Sequence, residues 1–120
     1  MARILLVEDV PANQALVDKL LQREGHEVLI AGTAERGIEL AREGRPDLVL
    51  MDIALPGMDG WQALEELRGR PETAPLRVVA FTAHAMMGDR SRALSAGFDG
   101  YLAKPVDVAT FADSVRRLLP

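Results

Sequence analysis

Short apolar runs alternate with longer amphipathic segments along the whole chain. Residues 4–7, 28–31, 48–51 and 78–81 are apolar without period-2 alternation, and a weaker run follows at 101–103. Runs of this length with no polar face predict strands covered on both sides, as in a parallel sheet. The segments between them carry helical spacing. Val17, Leu20, Leu21 and Glu24 belong to a helix opened by Pro11, a favoured first-turn residue. Thr33 is placed to cap a second helix with Ala34, Ile38 and Ala41 on one face. Ala63, Leu64 and Leu67 mark a third helix, and Ala93, Leu94 and Ala96 a shorter fourth. Asp107 caps a last helix whose Val108, Phe111, Val115 and Leu118 form an i, i+3, i+7, i+10 stripe. Arg116 and Arg117 fall in its final turn, where cations suit the helix dipole.

Five strand–helix units joined by right-handed crossovers predict an α/β fold: a doubly wound, five-stranded parallel sheet with helices on both faces. The flavodoxin-like order 2-1-3-4-5 suits a sheet of this size. Ligands in such sheets bind at the carboxyl ends of the strands, at the switch point beside strand 1.

The chemistry at those ends is uneven. Strand 1 runs into Glu8-Asp9, strand 3 into Asp52, strand 4 into Thr82, and strand 5 into Lys104-Pro105; strand 2 ends in Ala31-Gly32, with nothing reactive. Taken singly, each has an ordinary reading. Asp9 or Asp52 makes a turn or cap, Glu8 a solvated surface acid, Thr82 a β-branched strand residue, and Lys104 a solvated loop cation. Jointly they are more specific. Strands 1 and 3 are neighbours in the expected order, so Glu8, Asp9 and Asp52 should converge, with mutual repulsion of several kcal/mol at an effective dielectric of about 20. Either one acid stays protonated or a cation joins them. With oxygen donors only and no Cys or His nearby, Mg2+ is the natural guest. A metal, an ammonium and a hydroxyl around an Asp are the equipment for moving a phosphoryl group onto it.

Composition narrows the field. A chain of 120 residues suits one domain, and 48% apolar with 27% charged is ordinary for a globular protein. The net charge of −4 argues against a nucleic-acid or anionic-membrane surface. The absence of Cys excludes disulfides, thiolate metal sites and thiol catalysis, and it fits a cytoplasmic location. Apolar runs stop far short of the ~20 residues of a spanning helix, and the acidic pair at Glu8-Asp9 comes too early for a signal peptide. Of 14 basic residues only Lys19 and Lys104 are Lys, the rest being Arg. A chain that prefers Arg yet keeps Lys104 suggests a need for a compact ammonium there.

"ILLVED", "LVLMDIALPGMDG", "VVAFTA" and "GYLAKP" resemble the signature blocks of the receiver domain of two-component response regulators, in particular the single-domain, chemotaxis-regulator-like kind. The resemblance spans residues 1–120 and leaves none for an output domain, although a receiver excised from a hybrid kinase would read the same way. It implies a signalling phosphoacceptor, not a turnover enzyme. Asp52 would accept a phosphoryl group from a histidine kinase or histidine phosphotransfer protein. Asp9, Asp52 and the backbone carbonyl of Ala54 would hold Mg2+, with Glu8 acting through water. Lys104 would pair with the phosphoryl oxygens, the Lys104-Pro105 bond would be cis and aim that lysine, and Thr82 with Tyr101 would form the switch. The output face would be the fourth helix, fifth strand and fifth helix, read by a downstream protein, with the chain a monomer or weak dimer. Val10 departs from the commoner polar residue, which bears on helix capping. Ala54 and His84 occupy the positions that tune dephosphorylation, Ala54 leaving the approach of water open and His84 reading as a solvated loop imidazole ahead of a direct phosphoryl contact. His26 reads as a surface turn residue, Met86-Met87 and Trp61 as packing, and Arg68, Arg70, Arg90 and Arg92 as solvated charge, some of it able to steer an acidic partner.

Two rivals fit less well. Phosphatases with a strand-end Asp nucleophile resemble a pattern with a second acid two residues on, where this chain has Ala54. A flavodoxin-like ligand-binding module wants a Ser/Thr/Gly-rich phosphate loop after strand 1, where this chain has "VEDVPAN".

Overall fold

In the computed structural model, residues 2–83 and 89–120 are described. The chain runs β1 (Arg3–Val7), α1 (Pro11–Arg23), β2 (Glu27–Ala31), α2 (Ala34–Gly44), β3 (Leu48–Met51), α3 (Gly60–Arg68), β4 (Val78–Thr82), α4 (Asp89–Ala96), β5 (Gly100–Ala103) and α5 (Phe111–Leu118). All strand pairs are parallel, as the alternation of elements predicts, and the order is β2-β1-β3-β4-β5, the one expected of a flavodoxin-like sheet of this size. Among the described residues no helix is long and apolar enough to cross a membrane.

The absence of alternation in β1, β3 and β4 has a simple physical origin. Odd and even residues go to opposite faces of the sheet, and both faces are covered. Leu5, Val7, Val49, Met51, Val78 and Ala80 pack with Ile38 of α2, with Ala63, Leu64 and Leu67 of α3, and with Ala93 of α4. Ile4, Leu6, Leu48, Leu50, Val79 and Phe81 pack with Val17, Leu20 and Leu21 of α1 and with Phe111 and Val115 of α5.

Three expectations need correction. β2 is not covered on both sides: as an edge strand it buries only Ala31 fully, and Ile30 is 37% exposed. α4 contributes Ala93 to the core, while Leu94 and Ala96 face outward. Val108 is not on the α5 stripe. The helix starts at Phe111, Val108 lies before it at 57% exposure, and Asp107 caps the preceding turn by accepting from the Ala109 N–H at 3.0 Å. Thr33 does cap α2, taking the Arg36 N–H at 3.1 Å. Glu24 lies just past α1 as its C-cap. His84 and Met86-Met87 lie outside the described residues.

Arg68 is no solvated charge. Its guanidinium donates to the carbonyls of Ala74, Leu76 and Gly97 and to the Asp99 carboxylate, at 2.5–2.9 Å. The same Asp99 oxygen accepts from the Val78 N–H at 2.8 Å, so one arginine ties the α3–β4 and α4–β5 connections to the start of β4. Arg92 stacks over Trp61, 4.5 Å from the ring centroid, and Trp61 meets Phe98 edge-on at 5.6 Å, which makes Trp61 a packing residue as expected. His26 is half-buried and its Nδ1 accepts from the Ala2 N–H at 3.1 Å.

Replacing Arg68 with Met, which keeps the aliphatic stem, strands these carbonyls and one carboxylate. The expected loss is about 2–3 kcal/mol in urea unfolding, with the denaturant slope unchanged. His26 supplies a pH signature. Burial, followed by the charged amino terminus, lowers its pKa below the ordinary 6.5. A depressed value favours folding with the ring neutral, so this contribution is present above the unfolded value and lost as pH falls through the folded one. Stability should therefore decline as pH falls through the sub-6.5 range, and His26→Gln should flatten that decline in melts taken from pH 7 to 5.

Candidate functional site

The register of three strands assembles the site. Val7 of β1 pairs with Met51 of β3, so Glu8 and Asp52 each follow the last paired residue of neighbouring strands. Their backbones are anchored accordingly: the Asp52 N–H donates to the Val7 carbonyl at 3.0 Å, and the Glu8 N–H to the Ala31 carbonyl at 2.9 Å. On the other side Thr82 pairs with Ala103, and the Lys104 N–H donates to the Thr82 carbonyl at 2.9 Å. The Lys104–Pro105 peptide is cis.

The side chains meet at this rim. Glu8, Asp9 and Asp52 each offer a carboxylate oxygen, all within 4.8 Å of one another. Asp9 is exposed, whereas Glu8 and Asp52 are buried, which overturns the solvated reading of Glu8. The Lys104 ammonium bridges the two buried acids: it bonds Glu8 Oε1 and lies 3.0 Å from Asp52 Oδ2, with the Phe81 ring centroid 5.0 Å away. Asp52 Oδ1 accepts from the Ala54 N–H at 3.0 Å. Thr82 is buried at the end of β4, and Tyr101 is half-buried on neighbouring β5.

The backbone beyond Asp52 is held closely. Asp59 and Gln62 form a reciprocal capping box at the start of α3, with bonds of 2.9 and 3.0 Å. Gly60 then abuts the segment that follows β3, since a Cβ on it would lie 2.4 Å from the Asp52 carbonyl oxygen and 2.6 Å from Ile53 Cα. The Asp59-Gly60 pair is thus less a loose turn than a close contact between α3 and the end of β3. A surface groove of about 700 Å3 runs along α3 between Gly57 and Arg70, but none of the acids with shifted pKa lines it.

Burial works to raise both buried acids, and their surroundings divide them. For Glu8 the burial is outweighed by the Lys104 ammonium, the Val10 N–H and the Asn13 amide, which hold the carboxyl below its usual range. For Asp52 burial prevails over the Ala54 N–H and Lys104, and the nearby Glu8 charge adds to it, so its pKa is raised. Burial opposes the charge on Lys104, but its bonds to Glu8 and Asp52 raise its pKa, and the ammonium persists. One cation thus faces three acids, and two charged carboxylates this close repel by about 3–4 kcal/mol at an effective dielectric of about 20. Oxygen-only donors, two buried and one open to solvent, fit a small hard cation that keeps some of its waters.

Two neighbours of Glu8 escaped the sequence reading. The Asn13 amide donates to Glu8 Oε1 at 3.2 Å, and the Gln14 amide to the Glu8 carbonyl at 2.6 Å. The available signal was Val10, an N-cap residue with no side-chain acceptor; Glu8 Oε2 accepts the Val10 N–H at 3.1 Å, just ahead of the helix.

A profile of the response regulator receiver domain matches residues 4–116. Protein PilH of Pseudomonas aeruginosa is 38% identical over 119 residues, covering 99% of this chain and 98% of that one. The polar-differentiation response regulator DivK of Brucella anthropi is 35% identical over 116 residues, covering 97% and 94%. Among solved structures, the receiver domain of a sensor histidine kinase from Pseudomonas aeruginosa, crystallised with a magnesium ion in its active-site cleft, superposes with a TM-score of 0.87 at 36% identity, covering 98% and 96%. A profile match along nearly the whole fold, joined to relatives of this identity and extent, makes this chain a member of the response regulator receiver domains of two-component systems.

Proposed function

We propose that this receiver accepts a phosphoryl group on Asp52 from the phosphohistidine of a histidine kinase or histidine phosphotransfer protein. The observation that carries the reading is the meeting of Glu8, Asp9 and Asp52 at one point with Lys104 bound against two of them. A carboxylate oxygen of Asp52 forms the new O–P bond as the P–N bond breaks, and the imidazole leaves with that electron pair and takes a proton from solvent. Little covalent work falls to the protein, so positioning and charge carry the step. Asp9, Asp52 and the Ala54 carbonyl would hold Mg2+, with Glu8 acting through water, and the ion would neutralise charge on the phosphoryl oxygens. The magnesium in the cleft of the Pseudomonas kinase receiver supports that choice of ion.

The chain's own groups do the rest. The Ala54 N–H fixes one Asp52 oxygen and leaves the other toward Lys104. Lys104 exchanges this contact for a phosphoryl oxygen, following the charge as it leaves the carboxylate. The Thr82 hydroxyl turns toward the same group, and Tyr101, one strand over, moves inward with it. Phosphorylation adds charge and acceptor oxygens, which bias the α4-β5-α5 surface toward a form read by a downstream protein. A differential of a few kcal/mol suffices to reverse the two populations.

Incubation with acetyl phosphate and MgCl2 should add one phosphoryl mass to the intact protein, and Asp52→Asn should abolish it. Undiminished labelling of that variant removes Asp52 from its role. The variant also carries a stability signature. Because the Asp52 carboxyl is raised, the stability it contributes is complete below its unfolded value and is withdrawn as pH rises through the folded one. At pH 7 in chelator, Asp52→Asn should therefore melt higher than wild type, by the equivalent of about 1 kcal/mol. A lower melting point would mean that the contact with Lys104 outweighs the burial of the charge.

A further inference from the structure

Glu8 is fully buried, yet its carboxylate is held by three donors from three places. Oε2 takes the Val10 N–H at 3.1 Å, while Oε1 takes both the Asn13 amide at 3.2 Å and the Lys104 ammonium. A carboxylate has about four acceptor sites, so roughly one remains for a water. That matches an acid that serves an ion through water instead of ligating it directly.

The three donors are not equivalent. Lys104 also bonds Asp52, and in the proposed phosphotransfer it leaves for a phosphoryl oxygen. The Val10 N–H belongs to the backbone and holds only the other oxygen. Asn13 is neutral, sits in the first turn of α1, and is tied to neither Asp52 nor the arriving group. It is the side-chain donor that stays with Oε1 when Lys104 departs.

We infer that Asn13 is a positioning residue for the magnesium site, its amide orienting the Glu8 carboxylate so that one acceptor site faces the ion's water. The inference rests on the reading of Glu8, Asp9 and Asp52 as a magnesium site. It assigns to α1 a part in ion binding that Glu8 alone does not explain. Side chains that orient ligating or water-binding carboxylates commonly change affinity about 10- to 100-fold when removed. Asn13 acts one step further out, through a water, so the low end of that range applies.

The test is a magnesium titration followed by the amide NMR shifts of Asp9 and Asp52. It uses wild type, Asn13→Ala, Glu8→Gln and the double variant, each checked for folding by circular dichroism. Asn13→Ala should weaken magnesium about tenfold. In the Glu8→Gln background the same change should have less than a twofold effect, because the residue it acts through no longer carries the charge. Asn13→Leu, close in volume and compatible with a helix, carries the same expectation and stands in if the alanine variant does not fold. Unchanged affinity in folded Asn13→Ala overturns the inference, as does an equal loss in both backgrounds, which would mark Asn13 as a helix residue only. If wild type itself shows no magnesium-dependent shifts, the metal-site reading falls and takes this inference with it.

Discussion

One ammonium holds the working end of this domain together. Lys104 reaches from the end of β5, across β4, to carboxylates that follow β1 and β3, and it makes two buried acids tolerable at one point. Without it, Glu8 and Asp52 would face each other in a place that water barely reaches, and removing one member of such a buried set leaves an uncompensated charge. The bridge is also incomplete, since one positive charge meets three acids. The site thus has a standing demand for a second cation. A cation at that point is what the proposed phosphoryl transfer to Asp52 would draw on.

The rest of the structure keeps these groups in place. Parallel pairing puts Glu8 and Asp52 level with each other, one residue beyond Val7 and Met51. Gly60 lets α3 press against the Asp52 carbonyl, and the capping box at Asp59 fixes the helix end that does so. On the other flank, α1 follows a valine that cannot cap, and Glu8 holds that valine's N–H. The same carboxylate therefore follows a strand, holds the backbone just ahead of a helix and belongs to the acid cluster, which couples local folding to the electrostatics of the site.

The packing is uneven across the sheet. The strands of the sheet centre bury several large apolar residues each and α3 buries Leu64 and Leu67, whereas among the described residues α4 commits Ala93 to the core. Elements with few buried contacts lie at the low end of local stability. α4 is tethered instead through Arg92 on Trp61 and, just past its end, through Arg68 on Gly97 and Asp99. Polar and cation–π contacts at the surface can be exchanged at small cost, while a buried leucine cannot.

Sequence alone determined the number and type of elements, because burial on both faces removes alternation from the central strands and amphipathic spacing marks the helices between them. It also determined which strand ends carry reactive groups, since each follows directly on an apolar run. It overstated the burial of β2, because apolar composition does not distinguish an edge strand from a central one, and it extended α5 to Val108, because a helical stripe in sequence continues through a turn that the backbone does not. What only the tertiary structure decided is how the polar groups pair. Lys104 and Glu8 lie 96 residues apart, and Arg68 and Asp99 are separated by 31. Pairing at such distances depends on strand order, register and helix direction together, so no local pattern encodes it. Asn13 and Gln14 reach Glu8 over only five and six residues, but only once α1 has turned back over the end of β1.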